Sequence, residues 1–238
     1  MILYSTPAVL KSIASLWPLP GDILIGPFRF PDTLCIALSS ASLSPDQIRW
    51  DERYRCGRGP CHEEIDAWVA AQQAYLTGGR ALDVACGAGR YSLWLARLGY
   101  EVEAVDISPV ALERLAAAAA AHGLAGRIHI LQADLTRWQP PPERYDLVLV
   151  SLYLERKLLP ALRTALRPRG LLLYTTFHTD LLRLPGEFNP AYLLQPGELL
   201  LTFADWELLA YEERRLPRRG GHRRDCLSSI LVRKPEAG

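Results

Sequence analysis

The chain has 238 residues, of which 49% are hydrophobic and 22% charged, and a formal net charge of +1 at pH 7. These values sit close to globular averages and argue against general disorder, while near-neutrality provides no global field for nucleic acid or a membrane surface. The length suits one ordinary domain with a sizeable core, plus an extension. Five cysteines, Cys35, Cys56, Cys61, Cys86 and Cys226, form an odd set at no framework spacing, which reads as a reducing cytoplasm. The apolar stretch from Ile2 to Trp17 contains Lys11 and falls short of the ~20 residues a membrane span needs. It also lacks the basic start and small-residue cleavage site of a signal peptide.

Residues 1–45 read as an N-terminal extension without assignable chemistry: a short helix capped at Thr6-Pro7 and reaching Leu16, then short strands at 22–25 and 34–38. Ser44-Pro45-Asp46 marks the boundary to a second unit over 46–238. Trp50-Asp51-Glu52-Arg53-Tyr54-Arg55 forms an aromatic, charged entry segment before a helix expected from Cys61 to Leu76. On that helix Ile65, Trp68, Val69, Gln72 and Leu76 share one face. Strands then alternate with helices: strand 81–85, helix 89–98, strand 101–105, helix 109–122, strands 127–131 and 145–150, helix 155–166 and strand 170–177. Such alternation marks a parallel sheet covered on both faces. The Ala116–Ala121 run belongs to the helix pattern and offers a smooth packing face. After Phe177 come a proline-containing loop, a short helix at 196–201 and a hairpin, 206–213 with 226–233, whose connection is rich in arginine. The fold class is therefore α/β, a Rossmann-like, seven-stranded, mostly parallel sheet with an antiparallel C-terminal strand and helices on both faces.

The segment Ala81 to Arg90 is a buried strand that stops at Gly87-Ala88-Gly89 and becomes a helix N-terminus. Glycines there let the backbone pass close to a ligand, and the open N–H groups of the next helix add a polar floor. Dinucleotides and S-adenosylmethionine both use such a turn, and Ser92 at the third small position leaves both open. Four acids discriminate: Asp83 in the first strand, Asp106 ending the second, Asp134 after the third and Asp146 opening the fourth. Asp83 would repel a pyrophosphate but suit an ammonium group. Asp106 suits ribose hydroxyls, and Asp134 an adenine amino group. Together they describe a cationic, adenine-bearing ligand.

On these motifs, residues 46–234 resemble the class I S-adenosylmethionine-dependent methyltransferases. The resemblance implies S-adenosylmethionine as cofactor, with Asp83, Gly87 and Gly89 bordering its methionine moiety, Asp106 holding the ribose and Asp134 and Leu135 flanking the adenine. It also implies that Ser151 lines the pocket after strand four, and that Ala85, Arg90 and Ile107 complete the cofactor set. Pro168-Arg169-Gly170 departs from the usual Pro-Gly-Gly at a turn. The Trp50–Tyr54 segment and Leu194-Gln195-Pro196-Gly197-Glu198-Leu199, followed by Trp206-Glu207, are similar to the tellurite-resistance and thiopurine methyltransferase-like subgroup, which alkylates small soft nucleophiles.

The acceptor side is less defined. His178 after strand five is a candidate base or orienter, and the resemblance adds His222 and Arg215 from a segment that also holds Arg214 and Arg223. Ser151-Leu152-Tyr153-Leu154 lacks the Asn/Asp-Pro-Pro-aromatic segment of nucleic-acid amine methyltransferases. Cys56, Cys61 and His62 make a poor zinc set, and no metal is expected. The arginines at 214, 215, 218, 219, 223 and 224 are diluted by Glu212, Glu213 and Asp225, so nucleic acid is not the expected partner. The expected protein is a cytoplasmic monomer or homodimer, without membrane attachment, that methylates a small-molecule acceptor such as a chalcogen oxyanion or thiol. The alternatives are an RNA or protein methyltransferase using the basic hairpin, a non-catalytic cofactor-binding module and an NAD-binding protein.

Overall fold

The computed structural model describes residues 44–57, 64–217 and 221–236. The helix and strands expected within residues 1–43 lie outside the described residues, as do Cys61 and His62. Described elements run α1 (Pro45–Arg55), α2 (Ala67–Ala71), β1 (Gly79–Val84), α3 (Arg90–Arg97), β2 (Tyr100–Asp106), α4 (Pro109–Ala121) and β3 (Ile128–Gln132). They continue with β4 (Tyr145–Ser151), α5 (Leu159–Ala165), β5 (Leu166–Phe177), α6 (Glu198–Thr202), β6 (Glu207–Glu213) and β7 (Leu227–Arg233).

The seven strands form one sheet in the order β3-β2-β1-β4-β5-β7-β6. Strands β1 to β5 pair in parallel, and β7 runs antiparallel between β5 and β6. Near-continuous apolar runs such as Leu147-Val148-Leu149-Val150 follow from burial on both faces. Leu82, Val84, Val148, Val150, Leu172 and Tyr174 pack with Leu159, Leu162, Leu199 and Phe203 of α5 and α6 or their flanks. Alternate residues of the same strands pack with Val69, Tyr91, Leu95 and Leu115 from α2, α3 and α4.

Four local expectations change. Helix α1 was read only as an entry segment, yet the same Ser44-Pro45 that looks like a boundary starts it: Ser44 Oγ accepts from the Gln47 N–H at 3.1 Å, with proline in the first turn. The helix expected over 61–76 is limited, among the described residues, to Ala67–Ala71 and a 3₁₀ turn at Gln73–Tyr75. Asp66 is its N-cap, accepting from the Trp68 N–H at 3.0 Å. Its apolar face is nonetheless inward, through Val69 and Leu76 with Ile65 and Trp68 against the same core. The helix expected over 155–166 splits into a 3₁₀ turn, Arg156–Leu158, and α5, with Pro160 in its first turn. In the alanine run only Ala119 is buried, so most of that face meets solvent.

Candidate cofactor and acceptor site

Strand β1 lies between β2 and β4, so chain order reverses direction there, and the carboxyl ends of β1 and β4 border the crevice where open α/β sheets take ligands. Two non-glycine residues adopt positive φ at that crevice, Ala85 (55°) after β1 and Leu152 (56°) after β4. Strain of this kind concentrates at functional sites.

Both glycines of the turn are also packed against neighbouring helices. A Cβ on Gly87 would collide with the Tyr54 hydroxyl, and one on Gly89 with Leu115 of α4; both residues have positive φ. The glycines therefore let α1 and α4 close on the turn. The Gly87 N–H is also engaged: it donates to Asp106 Oδ2 at 2.8 Å, while the Ser108 N–H donates to Asp106 Oδ1 at 2.9 Å. Ser108 Oγ caps α4 and donates to Asp51 Oδ1 at 2.6 Å, which ties buried Asp51 and Tyr54 of α1 to the same corner. Asp51, Tyr54 and Ser108 were not identified as site residues, although Ser108-Pro109 carries the helix-start pattern that would locate the corner.

Asp83 is buried and accepts from Ser92 Oγ at 2.6 Å. Burial pushes its pKa up to about 7, with Asp106 adding to the rise; the Ser92 hydrogen bond and Arg90 only partly offset it. Burial also raises Asp106, against the hydrogen bonds it receives. Two buried carboxylates with raised pKa values are what a cationic ligand relieves, and this fits the sulfonium and ammonium groups of S-adenosylmethionine. Arg90 stacks 4.5 Å above the Tyr91 ring and donates to the Glu64 carbonyl. The Ile107 carbonyl accepts from Gln132 at 3.3 Å. Asp134 accepts from the Thr136 N–H and hydroxyl at 3.0 and 2.7 Å, beside buried Leu135. Ser151 ends β4. Asp146, by contrast with the expectation, lies at the opposite, amino end of β4, accepting from the Arg80 N–H at 2.7 Å and pairing with Arg167, so it takes no part in this site.

The folded pKa of Asp83 lies above the ordinary 3.8, so the folded state holds a proton that the unfolded chain has released between about pH 4 and 7. Its contribution to stability falls as pH rises through that window, by about 4 kcal/mol in total, and levels off above it. Thermal melts of Asp83→Asn should lose this fall and give a higher Tm than wild type at pH 8. Equal pH dependence of the two proteins would refute the assignment.

The three candidate catalytic residues are not gathered at the switch point. His178 is fully buried rather than presented at the mouth: its Nε2 is 2.7 Å from the Arg214 carbonyl, and its Nδ1 accepts from the Asp180 N–H at 3.3 Å. With both ring nitrogens engaged by backbone, it braces the end of β5. Arg215 pairs with Glu213, and His222 is exposed, its N–H donating to Asp225. Arg214 makes a bidentate pair with Asp66 at 2.9 and 3.0 Å and a further bond to Glu212, linking the end of β6 to the cap of α2. Burial pushes Asp66 up, but the Arg214 hydrogen bond and charge outweigh it and hold its carboxyl below the ordinary range.

The strand order and the turn after β1 define an α/β domain whose ligand crevice is bordered by two buried acids. Residues 81–170 match the family described as a methyltransferase domain, and the fold is that of the class I S-adenosylmethionine-dependent methyltransferases. The chain is similar to an S-adenosylmethionine-dependent methyltransferase from Mesorhizobium loti, with TM-score 0.58 and 21% identity over 73% of this chain and all of that one. It is also similar to TehB from Haemophilus influenzae, with TM-score 0.58 and 20% identity over 77% of this chain and 67% of that one. Among curated sequences it is 35% identical over 116 residues to a ubiquinone biosynthesis O-methyltransferase of Xylella fastidiosa, covering 44% of this chain and 45% of the relative. It is 35% identical over 104 residues to the ribosomal RNA small subunit methyltransferase C of Alcanivorax borkumensis, covering 40% and 31%. The chain thus spans about a third to a half of the length of these relatives. No described helix is long and apolar enough to cross a membrane.

Proposed function

We propose that this protein transfers a methyl group from S-adenosylmethionine to a small-molecule acceptor, as a cytoplasmic monomer or homodimer. The observation that carries the reading is the pair of buried, charge-frustrated carboxylates, Asp83 and Asp106, at the switch point of a methyltransferase domain. Asp106 and Ile107 are assigned to the ribose side, Asp134 and Leu135 to the adenine, and Asp83, Ala85, Gly87, Gly89, Arg90 and Ser151 to the methionine side. The bound cofactor supplies an electrophilic methyl on a sulfonium; the protein contributes alignment, and proximity alone lowers such barriers by about 7–11 kcal/mol. Free thiols at Cys56, Cys86 and Cys226 support the cytoplasmic location.

Two acceptor classes have support: soft nucleophiles, through the likeness to the tellurite-type subgroup, and oxygen, through the ubiquinone O-methyltransferase relatives. An RNA acceptor is the second reading, favoured by the ribosomal RNA methyltransferase relative. Against it, Arg214 and Arg215 are committed to carboxylates and Arg223 to the Phe188 ring at 4.8 Å; Arg218 and Arg219 lie outside the described residues. Calorimetry with S-adenosylhomocysteine, followed by labelled-methyl transfer to tellurite, selenite, thiols, phenols and carboxylates, tests the proposal. Micromolar cofactor binding and transfer to one of these is expected. Binding of NAD instead would sink it, and salt-sensitive RNA binding with RNA methylation would favour the second reading.

A further inference from the structure

Helix α1 meets the domain in an unusual way. Among the described residues, none of its side chains belongs to the apolar clusters on the two faces of the sheet. The two residues it buries are Asp51 and Tyr54, and both reach the corner where the glycine turn meets the start of α4. Arg114 of α4 donates to the Tyr54 carbonyl from the other side.

Asp51 is only 3% exposed. Its Oδ1 accepts from the Ser108 hydroxyl at 2.6 Å, while the largely exposed Arg55 stands 3.8 Å from Oδ2. Taking a carboxylate out of water costs free energy that one short bond and a distant cation offset only in part. An apolar side chain here would carry no such cost, so the acid is explained by its effect on Ser108 rather than by stability.

Ser108 is fixed from three sides. Its hydroxyl proton is committed to Asp51, and its Oγ accepts from the Ala111 N–H at 3.2 Å as the cap of α4. Its own N–H donates to Asp106 Oδ1 at 2.9 Å, while the Gly87 N–H holds Oδ2 at 2.8 Å. A carboxylate oxygen has two lone pairs, so each Asp106 oxygen keeps one for a ligand hydroxyl, in a direction set by the amide already bound to it. Burial raises the Asp106 pKa and the charge of Asp51 adds to the rise, which leaves that carboxylate a more basic acceptor.

We propose that Asp51 is a positioning residue for the cofactor ribose: it confines Ser108, and through the Ser108 amide it holds the Asp106 carboxylate in the orientation that receives the ribose hydroxyls. The proposal rests on the assignment of Asp106 to the ribose made above. Two neighbouring hydroxyls need both carboxylate oxygens in one plane. A shift of Ser108 that leaves the Gly87 bond intact would turn one of them away.

Calorimetry of the full chain with S-adenosylhomocysteine, accompanied by thermal melts of each unliganded variant, tests this. Asp51→Ala should weaken binding about tenfold, and Asp51→Asn, which keeps an acceptor oxygen for Ser108, should return to within about threefold of wild type. The decisive comparison lacks the Asp106 carboxylate: added to Asp106→Ala, the Asp51→Ala change should alter affinity by less than about twofold, because it then has nothing to position. A residue that merely stabilised α1 would cost the same in both backgrounds. Ser108→Ala leaves α1 unaltered and should also weaken binding about tenfold, so it carries the test if Asp51→Ala does not fold. The proposal is overturned if Asp51→Ala, or Ser108→Ala in its place, binds as wild type does, if the loss persists in the Asp106→Ala background, or if Asp51→Asn is no better than Asp51→Ala. Wild-type affinity in Asp106→Ala is a different result, which removes the ribose assignment and the positioning role with it.

Discussion

Gly89→Ala should lose about 2–5 kcal/mol of stability and most of its cofactor binding. Two causes add. The residue has φ 82°, where a Cβ is strained, and that Cβ would be driven into Leu115, a fully buried side chain of α4. Left-handed backbone costs about 1–2 kcal/mol for an L-residue, and overpacking a tight contact typically adds about 1–3 kcal/mol. Because α4 begins at Ser108, beside Asp106, displacing it also moves the corner that holds the turn. Gly123→Ala is the matched control: φ is 68°, but nothing lies within 4 Å of the added methyl, so only the backbone cost remains. Urea unfolding of the two variants decides the matter. Equal losses would mean that the contact with Leu115 has no role in closing the turn.

Asp106→Ala should weaken S-adenosylhomocysteine binding by about 100-fold, measured by calorimetry. Its carboxylate clamps the Gly87 and Ser108 amides, so the substitution removes two charge-assisted bonds, each worth about 1.5–3 kcal/mol, and leaves the Gly87 N–H without its acceptor. A ribose contact, as the resemblance implies, would share this carboxylate with the turn itself. Asp106→Asn keeps one acceptor oxygen and should retain part of the affinity. If Asp106→Ala binds as wild type, both the clamp and the ribose assignment fail.

Much of this architecture was legible in the sequence because it follows from periodicity and punctuation. The largely apolar segments 81–85, 101–105 and 145–150 are legible as buried strands, and the order of turn and acids points to the cofactor. Less legible was anything set by contacts between distant residues. Asp51 and Ser108 are 57 positions apart, and Asp66 and Arg214 are 148 apart, so neither pairing leaves a local trace. The same limit explains His178: its position after a strand suggested a base, but its occupation by the Arg214 carbonyl depends on how β6 returns. Asp146 was misplaced by treating the two ends of a strand as equivalent. The packing of Tyr54 and Leu115 over the two glycines is likewise set by distant residues and leaves no local trace.

The place of β7 has a consequence for how the chain folds during synthesis. The last described strand is an interior strand of the sheet, and among the described strands β6 hydrogen-bonds only to it. Until residues 227–233 have left the ribosome, β6 has no partner and β5 presents an open edge with Leu171, Leu172 and Leu173 along it. Nascent chains stopped short of Leu227 are therefore the aggregation-prone species, and trimming a few residues into β7 would split the sheet instead of shaving its margin.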